Sequence, residues 1–316
     1  MLLVGMVSCS RQPEDESVRG MYYWRTTFAL SSEEQDFLKD HNVSRLYVRY
    51  FDVVIPPSVP PGGEEGGPMP NATIKGLQPP SSFINHYSLP TTHYPSLIPV
   101  VFITNDCMVR PPKGLAEKIL TRVLQMNETH DIGGVSELQI DCDWTLRTRK
   151  NFFAFLEELR PLAREKGISL SATIRLHQLS QPVPPVDRGV LMVYNTGDVT
   201  RLDCHHPILD LADVKPYLRH LKGYDLPLSA AYPLFTWRVL FRQGRYVGIM
   251  HSDDDLPVIA GDSIVTRQPD MAHIMEARHA IARLRPDIHH EVILYDLSKE
   301  NITRLKPEDY ETIFSN

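Results

Sequence analysis

The chain has 316 residues, of which 42% are hydrophobic and 23% charged, and its formal net charge is −6. These proportions are ordinary for a soluble globular protein, and the length is sufficient for one large α/β domain. Because the balance is acidic and the basic residues are scattered, the sequence argues against a nucleic-acid partner.

A short apolar run from Met1 to Val7 opens the chain and leads into Ser8, Cys9 and a strongly polar stretch. It is too short to cross a bilayer, which takes about 20 apolar residues. The run resembles the end of a bacterial lipoprotein signal, at which Cys9 would become the cleaved and acylated residue, although the usual basic start is missing. The alternative is a buried first strand. The resemblance implies a signal remnant and tether over residues 1–20, a lipid anchor as the membrane attachment, and a location in the bacterial cell envelope.

Strand-like and helix-like patterns alternate from residue 21 onward, beginning with a strand at Tyr22. The first helix is expected to have Ser31 or Ser32 as its N-cap. Ser31 and Glu34 have the spacing of a capping box, in which each side chain bonds the backbone N–H of the other residue.

The second predicted strand begins at Arg45 and is followed by a long Pro/Gly-rich segment without core-forming periodicity. This segment predicts a long loop after strand 2, with a small β-arm around Thr73 to Lys75. Six further strands are predicted to begin at Leu97, Glu137, Ile168, Gly189, Leu226 and His289. Further helices are predicted to begin at Gly114, Thr148, Leu211 and Pro269.

Between the seventh strand and the last of these helices, the residues from Trp237 to His251 predict a β-hairpin insertion after strand 7. The pattern turns at Gln243 and Gly244. Eight strands separated mostly by helices favour a single (β/α)8 TIM barrel over residues 21–316. A doubly wound open sheet is the alternative, but no G-x-G-x-x-G or Walker-type loop follows the first strand.

The most site-like feature is the sequence "IDCDW" in the fourth predicted strand. Active sites of such barrels lie at the C-terminal ends of the strands, and alternate strand residues share a face, so Asp141 and Asp143 point the same way. Two like charges on one inward face require a raised pKa or a basic partner, which Arg25, Arg49 or Arg175 could supply. The alternative is a buried ion-pair network that closes the barrel top.

"IDCDW" resembles the fourth-strand motif of family 18 glycosidases, in which aspartates alternate along the strand and a glutamate acid ends the motif. Asp141 and Asp143 match the last two aspartates, and Trp144 matches the residue before the acid. Leu138 replaces the first aspartate and Thr145 replaces the glutamate. In that family the glutamate protonates the leaving group and the final aspartate assists the acetamido group of the substrate. The resemblance therefore implies no family 18 activity.

A broader resemblance is to a group of bacterial lipoproteins that are predicted to be glycosidase-like barrels. It rests on "YYWRTTF", "RLYVRYFDV", "LQIDCDW" followed by a Thr/Arg-rich helix start, and "LSATIRL". It spans most of the chain and implies a fold and a location, without an established activity.

The leading hypothesis is an envelope lipoprotein whose barrel binds a glycan and could also hydrolyse it. Asp143 would be the general acid/base or ligand-orienting group, and Asp141 would tune it. The predicted cleft-lining residues are Asp52, Arg49, Arg175, Tyr194 and Asp296. The predicted sugar-stacking residues are Trp24, Trp144 and Tyr232. The alternative is a non-catalytic carbohydrate-binding or scaffold protein on a degenerate barrel, which Thr145 favours.

No cofactor or metal is predicted. Asp253 to Asp255 with His251 could bind a divalent cation, but they lack the spacing of a calcium loop and are more typical of a solvated turn. Cys204, His205 and His206 have no second cluster at ligand spacing, which favours a surface loop.

Overall fold

The computed structural model describes residues 17–56, 68–77, 95–252 and 255–315. The strands are β1 Val18–Tyr23, β2 Arg45–Val54, β3 Met69–Asn71, β4 Ser96–Ile103, β5 Glu137–Asp141, β6 Ser169–Arg175, β7 Arg188–Met192, β8 Leu228–Pro233, β9 Trp237–Arg242, β10 Arg245–Met250, β11 Asp262–Arg267 and β12 Glu291–Tyr295. The α-helices are α1 Ser32–Asp40, α2 Leu115–Thr129, α3 Arg149–Glu165, α4 Leu211–Leu218, α5 Met271–Leu284, α6 Lys299–Ile302 and α7 Pro307–Phe314. Short 3-10 helices are Asn105–Met108, Leu176–Ser180, Leu221–Gly223 and Pro286–His290.

Eight parallel strands close into the predicted TIM barrel. Their order is β1, β12, β8, β7, β6, β5, β4, β2, and β1 also pairs with β2. Both pairings of β1 are parallel, with Gly20 opposite Ile293 on one side and Arg45 on the other. Closure excludes the doubly wound open sheet, because such a sheet leaves two edges unpaired.

The barrel wall separates two apolar layers. Inside it, Tyr22, Tyr47, Val190 and Ile293 belong to one compact cluster. A larger cluster lies between the strands and the surrounding helices. The layers arise because successive strand residues point alternately inward and outward, and this alternation also decides which side chains reach the site.

A balanced ion cluster fills the N-terminal end of the barrel interior. Arg45 and Arg188 lie 3.2 Å and 3.4 Å from the carboxylate of Glu137. Arg188 also pairs with Glu291, which accepts a 2.8 Å hydrogen bond from the Tyr47 hydroxyl. These partners compensate the cost of burying four charges, which would be prohibitive for any of them alone.

The first helix has the predicted cap. Ser31 is its N-cap, Glu34 N donates to the Ser31 hydroxyl, and the Glu34 carboxylate accepts from Ser31 N. The strand before it starts earlier than expected: β1 begins at Val18, so the last three residues of the predicted tether 1–20 belong to the barrel. Cys9 and the apolar run before it lie outside the described residues.

The predicted insertion after strand 7 is present as a larger unit. Strands β9 and β10 form the hairpin, with Gln243 and Gly244 in its turn at φ 50° and 74°. β11, which sequence reasoning missed, pairs antiparallel with the other edge of β9 and makes a three-stranded sheet.

Only part of the long loop after β2 is described. There β3 pairs antiparallel with β2, and Lys75 forms an isolated β-bridge with Thr27. The predicted β-arm around Thr73 to Lys75 therefore corresponds to one short strand and one separate bridge. Among the described residues, no helix combines the length and hydropathy needed to span a membrane.

Candidate ligand-binding cleft

A cavity of about 420 Å³ opens where the barrel strands end at their C-terminal sides, and we call it the barrel cleft. It is lined by Trp24, Arg49, Phe102, Asp141, Asp143, Arg175, Tyr194, Asn195, Phe235, Thr236, Trp237, His251, Tyr295 and Asp296. Seven of the ten predicted site residues are in this lining, whereas Asp52, Trp144 and Tyr232 are not.

Arg175 holds the predicted carboxylate pair together. Its Nη2 donates to Asp141 Oδ1 at 3.0 Å, and its Nε donates to Asp143. Asp141 also accepts a 2.6 Å bond from the Thr173 hydroxyl. The Asp141 side chain is 6% exposed and that of Asp143 57%, so one carboxylate is sealed and the other faces the opening.

Burial raises the pKa of Asp141 above its ordinary value, although Arg175 and the Thr173 hydrogen bond act in the opposite direction. The predicted basic partner is therefore Arg175. Arg25 pairs instead with Glu34.

A second arginine–carboxylate pair stands beside the first. Arg49 lines the barrel cleft, and its Nε donates to Asp52 Oδ1 at 2.7 Å while its Nη2 binds the other carboxylate oxygen. The guanidinium lies 5.3 Å from the ring centre of Trp24. Asp52 itself is buried and does not line the barrel cleft. Its predicted place in the lining is wrong, because its carboxylate is used to hold Arg49.

Aromatic rings form the walls of the barrel cleft. Tyr295 stacks on Tyr194 with ring centres 5.1 Å apart, and it contacts Trp24 at 5.6 Å and Phe235 at 5.7 Å. Trp237 continues this wall, 5.3 Å from Phe235. Such surfaces suit ligands with a flat apolar face.

Two of the three predicted stacking residues, Trp144 and Tyr232, point away from the barrel cleft. Trp144 is 1% exposed and packs against Phe152 and Phe153 of α3, at 6.2 Å and 5.3 Å. Tyr232 is fully buried, and its hydroxyl lies 2.7 Å from His289 Nε2. Each is one residue away from an inward-facing position, so strand alternation turns it toward the helices. Trp24 alone keeps its predicted place.

Asp296 is the third carboxylate in the lining of the barrel cleft, besides Asp141 and Asp143. It follows β12 after a cis peptide bond, and Asn301 Nδ2 donates to its Oδ1 at 2.7 Å. Burial raises the pKa of Asp296 to about 6. Asp198, another strand-end carboxylate, is exposed and accepts hydrogen bonds from Thr200 instead.

A smaller cavity of about 270 Å³ adjoins the barrel cleft and shares Asp143, Arg175, Tyr194 and Asn195 with it. His177 is added to the lining on this side.

The side chain of Thr145, the residue in place of the motif glutamate, is exposed and lies 3.4 Å from the Thr148 hydroxyl. Thr145 lines neither cavity.

Sequence reasoning missed several lining residues. Phe235 and Trp237 belong to the start of the insertion, and Phe102 is the apolar residue before the last residue of β4. The usable signal was the alternation in "LFTW", which places Phe235 and Trp237 on one face just beyond a strand end.

No group of three or more His, Cys, Asp or Glu side chains that could hold a metal ion occurs within the described ranges. Asp253 and Asp254 lie outside those ranges. Asp255 accepts hydrogen bonds from the backbone N–H groups of His251 and Ser252, as a turn-capping residue does.

Solved structures with the same architecture are similar to this chain over nearly its whole length. The spore cortex-lytic enzyme SleL of Bacillus cereus superposes with a TM-score of 0.56 at 15% identity, covering 94% of this chain and 73% of that one. A chitinase from Chromobacterium violaceum gives 0.56 at 10% identity, covering 94% and 98%. A mutant catalytic domain of an Ostrinia furnacalis group II chitinase, in complex with penta-N-acetylchitooctaose, gives 0.52 at 12%, covering 95% and 96%.

These similarities show a chitinase-like, glycosidase-like barrel fold. No protein-family model and no curated protein matches the chain. At such low identities the likeness concerns the fold, and the function has to be argued from the barrel cleft.

Proposed function

We propose that this protein binds a glycan in the barrel cleft. The observation that carries the proposal is the combination of aromatic walls with charged hydrogen-bonding groups in one open cavity. Sugar rings offer apolar faces that pack on Trp24 or Trp237, and hydroxyls that bond carboxylates and guanidinium groups such as Asp143 and Arg49. The fold likeness to a chitinase domain in complex with an oligosaccharide supports the same class of ligand.

Binding of the purified protein to a glycan panel, measured by calorimetry, tests the proposal. Trp237→Ala removes a wall of the barrel cleft and should weaken binding about tenfold, which corresponds to about 1.4 kcal/mol. Tyr246→Ala is the matched control, because Tyr246 is an exposed aromatic residue of the same three-stranded sheet and does not line the barrel cleft. Absence of binding, or equal weakening by both variants, contradicts the proposal.

A second candidate function is hydrolysis of the bound glycan, and Asp296 is the observation that favours it. Besides Asp141, the barrel cleft is lined by two carboxyl groups in different environments: Asp143 is paired with Arg175, whereas burial holds Asp296 partly protonated near pH 6. Such a division suits one carboxylate and one general acid. Asp296 would supply the proton that Thr145 cannot.

Release of reducing ends from the bound glycan tests this second candidate. Asp143→Asn and Asp296→Asn should each lower the rate by about a hundredfold or more. Because the acid must be protonated, the wild-type rate should fall as the pH rises above about 6. Equal hydrolysis by wild type and both variants, or binding without hydrolysis, removes catalysis and leaves the binding function.

We also propose that the protein is a lipid-anchored component of the bacterial cell envelope, attached through Cys9. The support is the apolar run that ends at Ser8 and Cys9 and the polar stretch after it. Metabolic labelling with a fatty-acid analogue in a bacterial host should label the wild-type chain and not Cys9→Ala. Equal labelling of both, or of neither, contradicts the anchor.

A further inference from the structure

Carboxylates outnumber cations around the barrel cleft. Arg175 is shared between Asp141 and Asp143, and Arg49 is engaged by Asp52 behind the wall. Neither arginine pairs with Asp296. Its hydrogen-bond partner is the uncharged amide of Asn301, and no ion pair with it occurs in the described part of the chain.

Asp296 stands directly beside the aromatic wall. The ring of its neighbour Tyr295 contacts Trp24, Tyr194 and Phe235. The faces of such rings attract cations, and the Arg49 guanidinium already lies over Trp24. Aromatic faces next to a carboxylate without a counter-ion are the surroundings that an ammonium group prefers.

We infer that the barrel cleft selects a glycan bearing free primary amines, that is, a de-N-acetylated amino sugar, with Asp296 as the charge partner of the amine. The inference rests on the proposed glycan-binding function and names its ligand class. A uronic acid or a phosphorylated sugar would meet the excess of carboxylates and be repelled. A fully N-acetylated sugar could use the aromatic walls but would leave Asp296 without a cation.

The raised pKa of Asp296 agrees with this role, since it reports a buried carboxylate whose charge is poorly compensated. The other charged groups that act on it are Arg25, which pairs with Glu34, and Glu300. At pH 7 Asp296 is mostly ionised and available to a cation.

Calorimetry with three oligosaccharides of equal length tests the inference. They are a fully de-N-acetylated glucosamine oligomer, its fully N-acetylated counterpart and an oligogalacturonate, at pH 7 and low ionic strength. We expect the amine form to bind about tenfold more tightly than the acetylated form, and the oligogalacturonate to bind least. Asp296→Asn should reduce the preference for the amine to about threefold or less.

Asp287→Asn is the control, because Asp287 is an exposed carboxylate in the 3-10 helix before β12, at the opposite end of the barrel. It should keep the full preference. If Asp296→Asn does not fold, the salt dependence of the wild type decides: the preference for the amine should shrink with added salt as charges are screened.

The possible outcomes distinguish this inference from the proposed glycan-binding function on which it rests. Binding of the acetylated oligomer as tightly as the amine form, or an unchanged preference in Asp296→Asn, overturns the inference and leaves glycan binding in place. A preference that salt does not change also overturns it. Failure of all three oligomers to bind contradicts the proposed function itself.

Discussion

Replacing Asp296 by Asn should make the protein more stable at alkaline pH. Burial raises the pKa of this carboxyl from 3.8 to about 6, so folding favours the protonated form. The stability from this protonation is fully present below the unfolded-state pKa and is lost as the pH rises through about 6. At 1.36 kcal/mol per pH unit, the difference corresponds to about 3 kcal/mol.

Because Asp296 is partly open to solvent, we expect about 1 to 2 kcal/mol of this to be measurable. Asparagine removes the ionisation and keeps a similar shape. Urea unfolding of both proteins at pH 4 and pH 8 measures the effect. The variant should match the wild type at pH 4 and exceed its free energy of unfolding at pH 8. A difference that does not change with pH refutes the reasoning.

Asp187→Asn is a control of opposite sign. Burial alone would raise the pKa of Asp187, but hydrogen bonds from the Leu170 N–H and the Arg160 side chain hold this pKa below its ordinary value. Its contribution to stability is present above the unfolded-state pKa and is lost as the pH falls through the folded-state pKa. This variant should therefore be less stable than the wild type at pH 8 and approach it in acid.

Three further substitutions test the ion pairs of the barrel cleft and the barrel interior and the cap of α1. Arg175→Met leaves Asp141 buried without its cation and should cost about 3 kcal/mol in urea unfolding at pH 7, a deficit that shrinks in acid as Asp141 becomes protonated. Glu291→Gln removes one carboxylate from the ion cluster at the N-terminal end of the barrel interior. Burial alone would raise the pKa of Glu291, but Arg188 holds this pKa below its ordinary value. The variant should therefore lose about 3 kcal/mol at pH 7, and this loss should also diminish in acid. Ser31→Ala removes the cap of α1 and should cost about 1 kcal/mol at any pH. A pH-independent deficit in the first two, or a neutral third, would contradict these assignments.

The barrel and much of its order could be predicted, because the relevant signals are local. The Ser31 cap, the turn at Gln243 and Gly244, and the strand starts follow from turn chemistry and periodicity. β11 (Asp262–Arg267) is not evident in the sequence because three of its six residues are exposed and Arg267 alone is buried, so it has no buried apolar face.

Part of the lining of the barrel cleft could be predicted. The places of Asp141 and Asp143 in the cleft lining follow from strand alternation, and the sequence offers Arg175 as one of three possible basic partners. Trp144 and Tyr232 do not line the cleft, because strand alternation places both on the outward face, against the helices. That Asp296 forms no ion pair with another described residue depends on distances between elements far apart in sequence, which no local pattern contains.

A crystal structure of the protein with its tightest-binding oligosaccharide tests the central claim most directly. We predict a sugar ring packed against Trp24 or Trp237, with polar atoms of the ligand within hydrogen-bond distance of Asp143 and Asp296. An oligosaccharide bound elsewhere, such as at the cavity beside Tyr224 and Arg285 at the other end of the barrel, with the barrel cleft unchanged, would contradict it.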